Sequence, residues 1–119
     1  MNDTVMWQRI EGLIVFAAAL IYYSYLGAGF PIWLGILIFF APDLSFVAYG
    51  AGPKIGAFAY NAVHVYALGA VMLVTGLLMP DTTVTAIGAL LLAHTGFDRA
   101  LGYGLKSTTG FKHTHLGTL

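Results

Sequence analysis

The amino-acid sequence predicts an all-α protein, a membrane-embedded antiparallel four-helix bundle. Two observations lead there. Of the 119 residues, 59% are hydrophobic and only 8% charged, against roughly 25% charged in soluble domains. Four apolar stretches also reach about the 20 residues that a helix needs to cross a bilayer, and the mean hydropathy is +0.83.

The first span covers 7–26. It lacks a basic leader and no A-x-A site follows it, so it is expected as a retained helix rather than a signal peptide. Gly27, Gly29 and Pro31 interrupt the pattern, and the second span covers 31–49. Gly50, Gly52 and Pro53 precede the third, 56–79, and Pro80-Asp81 separates it from the fourth, 84–103. Strands fit none of these runs, because polar and apolar residues do not alternate. Short loops make consecutive helices antiparallel neighbours. Small residues such as Gly35, Gly69, Gly76, Gly88 and Gly96 allow close helix approach. The chain, 1–119, reads as a single four-span domain with a polar tail over 106–119.

Composition narrows function by exclusion. Ten charged side chains cannot coat a soluble enzyme of this length, and the apolar content excludes a disordered chain. Five Lys and Arg balance five Asp and Glu, so no net charge draws the chain to nucleic acid. With no cysteine there is no disulfide or thiolate site. The expected partner is the lipid bilayer, with a homo-oligomer or a membrane-complex partner as a further possibility. Arg9, Lys54, Arg99, Lys106 and Lys112 all fall on one side of a four-span topology. The positive-inside rule therefore predicts that both termini and the second loop are cytoplasmic.

Ionisable groups inside a span each cost roughly 2.5–3.5 kcal/mol at its centre. Here they are Glu11, Asp43, His64, His94, Asp98 and Arg99, with Asn61 beside them. They share a depth. His64 and Asp98 both lie 17 residues from position 81, and Asp43 and Asn61 both lie nine from position 52. Glu11 falls one turn away toward the cytoplasm. Asn61 and His64 share a helix face, as do His94 and Asp98.

Imidazole and carboxylate donors suit Zn²⁺, Mn²⁺ or Fe²⁺. The expected ligands of a divalent metal such as Zn²⁺ are Asp43, His64, His94 and Asp98. Glu11 is the expected general base, and His115 or His113 a further ligand or acid from a tail folded back over the site. Asn61, Arg99 and His113 supply polar support. Such a centre would do hydrolase-like chemistry on a lipid or other amphipathic substrate. Other readings stand beside it. One is a hydrogen-bonded polar core in a non-enzymatic accessory subunit, with Arg99 paired to a carboxylate. Another is haem held by His64 and His94, and a third is a proton or ion path.

Several stretches carry a likeness: Pro42-Asp43-Leu44-Ser45 with Tyr49, Tyr60-Asn61 with His64-Val65-Tyr66, His94-Thr95-Gly96-Phe97-Asp98-Arg99, Gly102 to Lys106, and Thr114-His115-Leu116-Gly117. Together they resemble a bacterial family of small four-span membrane proteins catalogued only as a domain of unknown function. The resemblance covers nearly the whole chain, from Arg9 to the tail. It implies the four-span architecture and lends no activity. A fainter likeness, on Pro42-Asp43 and Thr114-His115 alone, is to membrane-bound metal-dependent hydrolases.

Overall fold

The computed structural model describes residues 3–107 and 110–118. Five α-helices and one 3-10 helix follow one another: α1 (Asp3–Leu26), α2 (Ile32–Phe40), the 3-10 helix (Ala41–Ala51), α3 (Pro53–His64), α4 (Tyr66–Leu78) and α5 (Thr82–Leu101). The tail then forms three short strands, β1 (Lys106–Ser107), β2 (Gly110–Thr114) and β3 (Gly117–Thr118), as an antiparallel sheet in that order.

The first expected span is one unbroken helix, α1. The second changes type half-way. Pro42, at the start of the 3-10 segment, has no N–H to continue the α-helical ladder, and α2 with its 3-10 extension still forms one apolar rod over Ile32–Ala51. The third is broken: Val65 is extended (φ −89°, ψ 150°) between α3 and α4, which bend by 41°. Among the described residues, two helices are thus long and apolar enough to cross a membrane, or three if the bent pair is one span. The helical fold is as expected, and of the four expected spans two or three meet this measure.

The fourth, α5, is the central helix. α1 and α4 pack most extensively against it, while α3 packs on the 3-10 helix. Much of α5 is buried, Asp98 and Arg99 included, so protein rather than lipid covers its polar groups. Glycines set the close approaches. A Cβ on Gly96 would lie 2.6 Å from the Gly12 carbonyl oxygen of α1, and one on Gly69 2.8 Å from the Leu92 nitrogen of α5.

Both ends of α5 are capped. The Asp81 carboxylate accepts from Val84 N–H at 3.1 Å. At the other end Gly102 is left-handed (φ 93°), its N–H bonds to Arg99, and Tyr103 N–H reaches the Asp98 carbonyl at 2.8 Å. Arg9 adds an Nε hydrogen bond to the Ala100 carbonyl, 2.9 Å, a cation where the helix dipole is negative.

Candidate metal centre

Three elements build the site. His94 and Asp98 stand one turn apart on α5, and His64 is the last residue of α3. Asp43 follows Pro42 in the first turn of the 3-10 helix. The break after His64 frees its carbonyl, which the Arg99 guanidinium takes at 2.7 Å, while its other arm reaches the Tyr103 carbonyl at 2.9 Å. Irregular backbone at this point is therefore satisfied inside the protein.

Asp43, His64, His94 and Asp98 each present one ligand atom to a common point, and these four atoms lie within 4.8 Å of one another. The His64 and His94 Nε2 atoms are 3.1 Å apart. Asp43 Oδ1 is 3.4 Å from His64 Nε2 and 3.3 Å from His94 Nε2. Asp98 Oδ2 is 3.4 Å from each. A tetrahedron with metal–ligand bonds of 2.0–2.1 Å has edges of about 3.3 Å. Five of the six edges here match that length.

Neighbouring groups fix both imidazoles. Nδ1 of His64 bonds to the Tyr60 carbonyl oxygen at 2.8 Å. Nδ1 is therefore the donor, and the Nε2 lone pair faces the cluster. The Tyr60 ring stacks on the His64 ring, centroids 3.7 Å apart and 7° from parallel. Phe39 and Phe40 meet the His94 ring edge-on. Both histidines are buried, whereas the Asp43 side chain is 37% exposed. The four residues could hold a metal ion.

A cavity of about 360 Å³ opens on the same cluster. Asp43, His94 and Asp98 line it, together with Phe40, Phe97 and Lys106. Lys106 is the first residue of β1, and it is buried. Desolvation pulls its ammonium below the usual lysine range, and the nearby Asp98 carboxylate opposes that.

The remaining sequence expectations fall elsewhere. Glu11 is exposed on α1 and is not in the group of four. His115 is exposed and not in the group either; its Nδ1 accepts from Leu105 N–H at 2.8 Å and pins the tail. The His113 and Phe111 side chains lie outside the described residues. Asn61 supports the tail rather than the cluster: its amide oxygen accepts from Lys106 N–H at 2.6 Å and its amide nitrogen donates to the Lys106 carbonyl at 2.8 Å. Arg99 bonds backbone carbonyls where a carboxylate partner was expected. Haem is not favoured, since a 3.1 Å gap is shorter than the about 4 Å between two nitrogens on opposite sides of one metal ion.

Sequence reasoning missed Tyr60 and Lys106 as parts of the site. Tyr60 had a signal, standing four residues before His64, where a helix places its carbonyl under the imidazole. Lys106 had none beyond its charge.

The match to known proteins spans the same residues. Over 5–119 the chain matches the family described as Domain of unknown function (DUF4260). The chain belongs to that family. No curated protein and no solved structure matches it. The family name carries no chemistry, so the geometry of Asp43, His64, His94 and Asp98 is what bears on function.

Proposed function

We propose that the chain is a membrane-embedded metal protein, with a divalent transition metal held by Asp43, His64, His94 and Asp98. The observation that carries this reading is the set of five ligand–ligand distances between 3.1 and 3.4 Å. Two nitrogens and two oxygens suit Zn²⁺, Mn²⁺ or Fe²⁺. The fixed His64 tautomer supports it further.

The chemistry proposed is hydrolase-like, on a lipid or other amphipathic substrate. Catalytic metal sites keep a position for water. Asp43 is the ligand to yield one: it is the most exposed of the four and sits on a 3-10 turn rather than on buried α5. With a metal held by His64, His94 and Asp98, which would supply the acidification of water, the Asp43 carboxylate would be the group placed to take the proton. Glu11 is too exposed and too separate from the group to be preferred for that role. On the charge argument, the site lies toward the cytoplasmic face of an inner membrane, with both termini cytoplasmic.

A second reading rests on His94 Nδ1, which is buried and has no hydrogen-bond partner among the described residues. A metal-bound histidine nearly always donates from that nitrogen. Without a metal, the proton of a neutral His94 belongs on Nε2, where it bonds to His64 Nε2. The cluster is then a hydrogen-bonded pin between α3 and α5.

Metal analysis of the full-length protein, purified in detergent without chelator, separates the two. The metal reading expects about one ion per chain, or its uptake on adding Zn²⁺, Mn²⁺ or Fe²⁺. No bound metal and no uptake would leave the pin.

A further inference from the structure

The cavity at the cluster has two kinds of wall. Asp43, His94, Asp98 and Lys106 line one part; Phe40, Phe46, Phe97 and Leu101 line another. Its volume, about 360 Å³, falls at the small end of ligand sites, which run from ~300 to ~1,000 Å³. Lys106 is placed in it firmly. Asn61 clamps both the N–H and the carbonyl of that residue. The ammonium nitrogen lies 5.0 Å from the Tyr60 ring centroid, and the Tyr60 hydroxyl lies 3.5 Å from Asp98 Oδ2. A continuous polar edge thus runs from Lys106 through Tyr60 to the ligand cluster.

Charge changes sign on metal loading. Two carboxylates and one ammonium line the cavity, a net negative balance. A divalent ion would make it net positive, and a positive charge in a low-dielectric site attracts an anion more strongly than it would in water. The phenylalanine wall would meanwhile take hydrocarbon.

Building on the metal reading above, we infer that this cavity binds a single-chain anionic amphiphile. One oxygen of its anionic head takes the metal position that Asp43 yields, a second meets the Lys106 ammonium, and its hydrocarbon lies along Phe40, Phe46 and Phe97. The head chemistry is that of a phosphate monoester, and the attached chain distinguishes it from free phosphate.

The test uses full-length protein in an uncharged maltoside detergent, loaded with Zn²⁺ and titrated calorimetrically with dodecyl phosphate or inorganic phosphate. Metal content is measured on every sample. Dodecyl phosphate is expected to bind at least tenfold more tightly than inorganic phosphate, and at least tenfold more tightly with Zn²⁺ than without. Lys106→Met weakens it about tenfold, and Lys106→Arg retains most of the affinity. Phe46 is 42% exposed and stacks on Tyr60; Phe46→Ala, compared at equal metal content and with its melting temperature measured, weakens dodecyl phosphate and spares inorganic phosphate. Equal binding by Lys106→Met and the unmodified chain, both holding metal, overturns the inference and leaves the metal centre standing. Inorganic phosphate binding as tightly as dodecyl phosphate overturns the amphiphile. Absence of Zn²⁺ binding overturns the metal centre and this inference with it.

Discussion

Nε2 of His64 and Nε2 of His94 face each other at 3.1 Å, although 30 residues separate them in the chain. Two imidazole lone pairs repel at that distance unless a cation or a proton lies between them. Asp43 Oδ1 and Asp98 Oδ2 stand 3.3–3.4 Å from the same two atoms. A metal ion, or the Nε2 proton of a neutral His94, would relieve that repulsion, and the chain supplies the four donors from three separate elements.

Removing one imidazole tests the ligand set. His94→Ala is expected to lower Zn²⁺ affinity by about 100-fold or more, since even residues that only orient a ligand contribute 10–100-fold. Glu11→Gln, outside the group, is expected to leave affinity unchanged. Competition against a coloured chelator reads both variants. A Glu11→Gln loss as large as that of His94→Ala would show that the ligand set is wrongly drawn.

The tail depends on one side chain. Asn61→Ala removes two hydrogen bonds to the Lys106 backbone and leaves buried polar groups without partners, at about 1–3 kcal/mol. A lower melting temperature in detergent and faster amide exchange at Lys106 are expected. Asn61→Asp keeps the acceptor for Lys106 N–H and should fall between the two.

Helix contact rests on missing side chains. A Cβ on Gly88 collides with the Leu73 backbone nitrogen, whereas one on Gly50 meets nothing within 4 Å. Gly88→Ala is therefore expected to destabilise by about 1–3 kcal/mol, with Gly50→Ala near neutral. Thermal unfolding of both proteins checks the contrast, and equal melting temperatures would contradict the α4–α5 packing.

The tail is also expected to respond to pH. His115 is exposed overall, but partial desolvation of its imidazole, then the positive charge of Arg99, hold it below its usual value. The Leu105 N–H bond needs Nδ1 unprotonated. Because the folded value lies below the unfolded one, this contribution is full above about pH 6.5 and is lost as pH falls through the folded value. Amide exchange at Leu105, compared at pH 7.5 and pH 5 and corrected for intrinsic rates, should show protection lost in acid. His115→Ala should abolish that difference, and protection equal at both pH values would refute the link.

Depth was legible because antiparallel helices convert sequence separation into height. His64 and Asp98, equidistant from position 81, meet at 3.4 Å. Facing was legible for His94 and Asp98, one turn apart on α5. The break at Val65 was not. No proline or glycine marks His64-Val65-Tyr66, and the interruption goes with Arg99, 35 residues on, bonding the freed carbonyl. Which neighbour Asn61 would bond was not legible either: depth says nothing about the partner an amide will choose, and it takes the Lys106 backbone. The tail strands escaped notice as well, since their partners are set by Asn61 and Leu105 rather than by any hydrophobic alternation.

The sequence by itself determined that this is an apolar, helical chain whose few ionisable residues gather in one layer, because burying charge in a span is too costly to happen at random. It also put Asp43, His64, His94 and Asp98 among the residues of that layer, with Glu11 beside them. Tertiary structure decided the rest: that α5 is central, that a bend in the third span turns His64 toward His94, that Glu11 and His115 stand apart, and that Lys106 shares a cavity with the ligands. Those outcomes depend on which helix packs on which and where backbone carbonyls find donors, and neither is written in the spacing of residues along one helix.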